Sequence, residues 1–156
     1  MRFAPAILAV LAIATPVAGQ NPEQRALERE IFKEIIEVNT SDSAGNTRLV
    51  AEKLAARLES AGIPKADIRI LGYNAKYQSL VVRYRGQATS KKPIMLMAHM
   101  DVVDALPQDW TRDPFTLVEE SGYFYGRGIL DDKFGVTTLT TTFIRLKQEG
   151  FVPNRD

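Results

Sequence analysis

From Gln20 onward the sequence predicts an α/β domain, a mixed sheet covered by helices. Stretches with the 3.6-residue period of an amphipathic helix alternate with short apolar strands. One of those strands, Ile94–Ala98, is apolar on both faces, as a strand in the middle of a covered sheet must be. A composition 45% hydrophobic and 25% charged over 156 residues suits one globular domain and excludes a disordered or collagen-like chain.

The first segment predicts export. Arg2 precedes an apolar run from Ala4 to Ala14, then Thr15-Pro16-Val17-Ala18-Gly19, and the sequence turns polar at Gln20-Asn21-Pro22-Glu23. This order of charged, apolar and small residues is that of a secretory signal spanning residues 1–19, with the mature chain running over 20–156 in the periplasm or outside the cell. A membrane span needs about 20 apolar residues. This run is shorter and broken by Pro5 and Pro16, so no stable span is expected after cleavage.

The first helix is predicted over Gln24–Val38, with Leu27, Ile31, Ile35 and Val38 on one stripe widened by Phe32 and Ile36. Residues 39–46, Asn-Thr-Ser-Asp-Ser-Ala-Gly-Asn, are turn formers and read as a loop. A second helix follows over Thr47–Ala61, its stripe Val50, Leu54, Leu58 and Ala61, stopped by Gly62 with Pro64 beyond. Strands are predicted at Ile68–Leu71, Ser79–Tyr84, Ile94–Ala98 and Phe115–Val118. Glu119-Glu120 leads into Ser121-Gly122 as a solvated hairpin tip would. The last helix is predicted over Asp132–Glu149 with Val136, Leu139, Phe143 and Leu146 inward, although five threonines at 137, 138, 140, 141 and 142 lower its propensity.

Charge and cysteine content restrict the function. Without Arg2, the single charge in the first 19 residues, the chain has 19 basic and 19 acidic side chains, which argues against a nucleic-acid partner held by bulk charge. With no cysteine there is no disulfide, no thiol nucleophile and no Cys-ligated zinc. Any metal must be held by His, carboxylates or water.

Two segments carry candidate chemistry. In Ile94-Met95-Leu96-Met97-Ala98-His99-Met100-Asp101-Val102-Val103 a buried strand ends at the only histidine. Residues two apart on a strand share a face, so the Asp101 carboxylate can lie near the His99 ring. A carboxylate on one imidazole nitrogen leaves the other free for a metal, although for His-x-Asp taken alone a strand-end histidine satisfied by its neighbour is the better account, because a metal needs further ligands. In Tyr125-Gly126-Arg127-Gly128-Ile129-Leu130-Asp131-Asp132-Lys133-Phe134-Gly135, two glycines allow a tight turn and two carboxylates stand at a helix start, where capping would explain them.

Taken together and in this order, the two segments resemble the zinc-dependent aminoacylase and carboxypeptidase family of metallopeptidases, which includes acetylornithine deacetylase, succinyl-diaminopimelate desuccinylase, carboxypeptidase G and carboxypeptidase S. That family pairs a strand ending in His-x-Asp-Val-Val with a downstream Gly-Arg-Gly-x-x-Asp-x-Lys, and Trp110 and Pro114-Phe115 stand where it often has a Trp and a Pro-Phe strand entry. The likeness is strong from Ile94 to Gly135. It implies the N-terminal part of a three-layer αβα zinc-exopeptidase-like domain. His99 would ligate one zinc and Asp131 would bridge two, with cobalt or manganese as substitutes. Asp101 would be the catalytic-site carboxylate behind His99, and Asp132 would follow a cis peptide bond. Substrates would be small peptides or N-acyl amino acids, and the longer protein would be a homodimer. Arg127 and Lys133 match the motif and read as structural partners of nearby carboxylates.

The sequence departs from the family pattern at Asp104-Ala105, where many relatives have Pro, and at Phe134, where many have Gly, as in the carboxypeptidase S-like branch. The family's general base, a Glu beside a metal-ligating Glu on the following strand, and its later carboxylate and His have no counterpart in these 156 residues. The expectation is a metallohydrolase segment inactive by itself. The competing reading is a non-catalytic exported module that binds metal or a partner.

Overall fold

The computed structural model describes residues 21–43, 45–87 and 90–156, and the predicted signal at 1–19 lies outside them. The described residues form three helices, α1 (Pro22–Ile36), α2 (Thr47–Ser60) and α3 (Lys133–Gln148), and four short strands, β1 (Ile68–Leu71), β2 (Ser79–Val82), β3 (Val118–Glu120) and β4 (Tyr123–Tyr125). The α/β class holds. The expected single mixed sheet is replaced by two antiparallel pairs, β1–β2 and β3–β4, with an isolated parallel bridge between Ser41 and Val102.

The helices start and stop where their end residues dictate. Asn21 caps α1 by accepting the Glu23 N–H at 2.9 Å, with Pro22 in the first turn, where its missing N–H costs nothing. Asn46 caps α2 through the Leu49 N–H, and Gly62, at φ +93°, takes the left-handed turn that ends it.

The core joins all three helices. Ile31, Ile35, Val50, Leu54, Leu58, Ile63, Val136 and Ile144 form one buried cluster, with Ile68, Leu80, Val82 and Tyr84 of the β1–β2 region packed against it. The β3–β4 hairpin docks on α1 through Phe124, whose ring meets Phe32 edge-on at 5.6 Å. On α3 the inward face is rotated from the predicted stripe: Val136, Thr137, Thr140 and Ile144 are buried, while Leu139 and Leu146 are half-buried. The threonines go inside because their hydroxyls are satisfied within the helix, Thr137 Oγ1 donating to Lys133 O and Thr140 Oγ1 to Val136 O, each at 2.8 Å.

The largest difference concerns Ile94–Ala98. This segment pairs in neither sheet, and Ile94, Met95, Leu96 and Met97 are 63%, 80%, 57% and 76% exposed. Only Ala98 and Met100 reach the core, and Ile94 N donates to Asp156 O at 2.9 Å. A two-faced apolar strand needs a ladder and cover on both sides, and the described helices are spent on each other and on β1–β2.

Candidate metal centre

The two motifs meet although 32 residues separate their key side chains. His99 ends the exposed apolar segment and Asp131 stands just before α3, and His99 Nε2 lies 2.9 Å from Asp131 Oδ1. The peptide bond between Asp131 and Asp132 is cis. On its other side the ring is held by Asp101, but by the main chain: Nδ1 faces the Asp101 carbonyl at 3.1 Å, with the Asp101 carboxylate at 3.5 Å. This corrects the expected carboxylate hydrogen bond and keeps its effect, because a carbonyl acceptor also fixes the proton on Nδ1.

Both ring nitrogens thus face oxygen. A neutral imidazole has one N–H, which the Asp101 carbonyl takes, so a second proton or a cation is needed at Nε2. Partial burial pulls the ring's pKa down, but the bonds to the Asp101 carbonyl and Asp131 and the charges of the two carboxylates outweigh it, and the pKa is raised. The side chains of His99 and Asp131 are 51% and 88% exposed, so an ion can reach them.

An imidazole nitrogen with its opposite N–H fixed, beside an exposed carboxylate, is the right kind of donor pair for zinc. The number falls short. Among the described residues no group of three or more His, Asp or Glu side chains is placed to hold a metal. Glu119 and Glu120 end β3, before the turn at Ser121–Gly122, and are paired with Arg29 and Arg112 rather than with the site.

Asp132 follows the cis bond expected of it, whereas Lys133 and Arg127 bond to carbonyls and not to the carboxylates expected as their partners. Asp132 occupies the N-cap position of α3 yet makes no side-chain cap; its Oδ2 accepts the His99 N–H at 3.3 Å. Among the described residues Lys133 has no carboxylate partner. It is fully buried, donates to Ile35 O at 2.8 Å and Val38 O at 2.7 Å, and burial pulls its ammonium down to about 8. Arg127 likewise donates to a carbonyl, Asp104 O, and lies over the Trp110 ring at 5.2 Å.

Sequence reasoning gave the loop after α1 no part in the site. Thr40, fully buried, donates to Met100 O at 2.7 Å and accepts the Val102 N–H at 3.3 Å through its carbonyl. Asp104, at the position where the motif departs from its relatives, accepts the Ser43 hydroxyl at 2.6 Å and the Ser43 N–H at 3.3 Å. These bonds hold the Asp104 carboxyl below its ordinary range. That departure was the one available signal.

Comparison with known proteins supports the resemblance. Residues 95–156, which contain both motifs, match the sequence model of Peptidase family M20/M25/M40. The chain is 30% identical over 142 residues to the human N-fatty-acyl-amino acid synthase/hydrolase PM20D1, covering 85% of this chain and 27% of that protein. It is 51% identical over 63 residues to the "Probable succinyl-diaminopimelate desuccinylase" of Staphylococcus aureus strain Mu50, covering 39% and 16%. It is 41% identical over 78 residues to the "Probable carboxypeptidase S-like 2" of Dictyostelium discoideum, covering 49% and 15%. The chain spans about a quarter or less of the length of these relatives.

Proposed function

We propose, with a peptidase family M20/M25/M40 segment at residues 95–156 as the premise, that this chain supplies the first metal ligands of a hydrolase acting on peptide or N-acyl amino acid amide bonds. The observation that carries the reading is the 2.9 Å approach of His99 Nε2 to Asp131 Oδ1 from two separate motifs. The names of the relatives put N-acyl amino acids and peptides among the fitting substrates.

The roles follow from the chemistry of each group. His99 and Asp131 would hold zinc, which when bound acts as a Lewis acid and lowers the pKa of its water. The Asp101 carbonyl keeps the His99 proton on Nδ1, so that Nε2 presents its lone pair to the ion. Asp101 adds negative charge behind the ring. A catalytic zinc typically takes three protein ligands, and the described residues offer two side chains, so binding by the chain alone would be weak. Without a positioned base, hydrolysis loses typically a further 10²- to 10⁴-fold.

The purified 156-residue chain should therefore bind zinc weakly, lose that binding in His99→Ala and Asp131→Ala, and hydrolyse N-acyl amino acids or dipeptides no faster than His99→Ala. Equal zinc binding by all three proteins would overturn the assignment. The absence of a third donor among the described residues favours a second reading, a non-catalytic metal-binding module, and zinc-dependent turnover by the chain would exclude it. Export belongs to the same proposal: N-terminal sequencing of the protein from a periplasmic or secreted fraction should begin near Gln20.

A further inference from the structure

We propose that Thr40 and Lys133 are positioning residues which, together with Asp132, lock the His99 ring against Asp131 through a closed circuit of hydrogen bonds. The inference rests on the metal reading of that pair. The circuit can be followed bond by bond. His99 N donates to Asp132 Oδ2 at 3.3 Å, and the next residue, Lys133, donates from Nζ to Val38 O at 2.7 Å. Two residues on, Thr40 Oγ1 donates to Met100 O at 2.7 Å, and Met100 adjoins His99. Three hydrogen bonds and three stretches of at most three residues thus close a ring on which His99 lies and to which Asp131 is directly attached.

Two choices in the ring run against local stability and point to the site. Asp132 stands where its carboxylate would cap α3, and instead holds the His99 amide. Lys133 places an ammonium in the interior against two carbonyls, those of Ile35 and Val38, at the cost of desolvation. The loop after α1 is a full participant. Thr40 O also accepts the Val102 N–H, so the loop grips the main chain on both sides of Asp101, whose carbonyl orients the ring.

Gly135 allows one limb of the circuit to be cut without unfolding the protein. A Cβ added there would stand 2.3 Å from Asp132 Oδ1, the end of a side chain that can rotate away. Gly135→Ala therefore drives the carboxylate off the His99 amide while improving helix propensity. Thr40→Val cuts the other limb at constant shape, and Thr40→Ser restores the hydroxyl.

The test measures zinc affinity of the full 156-residue chain by calorimetry, alongside thermal unfolding and amide exchange at His99. Partners that orient metal ligands typically carry 10- to 100-fold in affinity. Gly135→Ala and Thr40→Val should each weaken zinc binding about tenfold or more, with the melting temperature held or raised in Gly135→Ala. Thr40→Ser should bind as the unmodified chain does, and His99 amide exchange should quicken in Gly135→Ala. Unchanged zinc affinity in both Gly135→Ala and Thr40→Val, with binding lost in His99→Ala, would overturn the positioning role and leave the metal reading intact. Zinc binding that survives His99→Ala would overturn the metal reading itself.

Discussion

Gly128 illustrates how single residues set the site. Its φ of +84° is left-handed, and a Cβ there would stand 2.7 Å from Val102 Cγ1 and 3.3 Å from Lys133 Cδ. Val102 is buried and branched at Cβ, so it cannot swing aside. Gly128→Ala should therefore cost about 1–3 kcal/mol, from overpacking added to a backbone conformation that L-residues avoid. Urea unfolding would measure this, and a cost below about 0.5 kcal/mol would show that the motif's second glycine serves something other than this close approach. The same residue accepts the Lys133 N–H through its carbonyl at 3.1 Å, which sets the first turn of α3 behind Asp131.

Among the elements, the β1–β2 hairpin is tied down by a buried carboxylate. Asp67, in the turn before β1, accepts Arg85 Nε at 2.7 Å, and its carbonyl accepts the Arg83 N–H at 2.9 Å, which fixes the strands' register beyond their last pair. The Arg85 hydrogen bond, outweighing burial and assisted by the Arg85 charge, holds the Asp67 carboxyl below its usual 3.8. A depressed carboxyl stabilises the fold above its unfolded pKa and stops doing so as pH falls through its folded one. Stability should thus fall as the pH drops below about 4, and Asp67→Asn should lower stability at pH 7 and flatten that acid limb, as followed by thermal unfolding between pH 2 and 7. The elements were also unequally legible in the sequence. Periodicity and Asn or Gly ends revealed α1 and α2, because burial and capping there follow residue type. On α3 the threonines misdirected the face, since a hydroxyl returned to its own helix buries as easily as a methyl. His99 and Asp131 were marked by their motifs. Lys133 was marked by its motif but not its partners, and Thr40 was not marked at all, because a side chain bonded to a carbonyl 60 or 95 residues away leaves no pattern in sequence spacing.

At the scale of the whole molecule, one tightly joined half faces an open one. The three helices and β1–β2 share a core, whereas the segment leading to His99 lies outside it from Ile94 to Met97. A run of exposed apolar side chains on backbone that joins neither strand pair is a template for further strand pairing, with itself or with another chain. That run contains two thioethers, Met95 and Met97, at 80% and 76% exposure, while Met100 beyond His99 packs against the core. Dilute peroxide should convert Met95 and Met97 to sulfoxides well before Met100, as read by peptide mass mapping, and equal rates at the three would contradict the exposure pattern. The thioethers make the segment its own gauge of cover. Whatever seats on these residues must slow their oxidation, and a chain oxidised there first would present polar, chiral sulfoxides where any such partner needs a smooth apolar face.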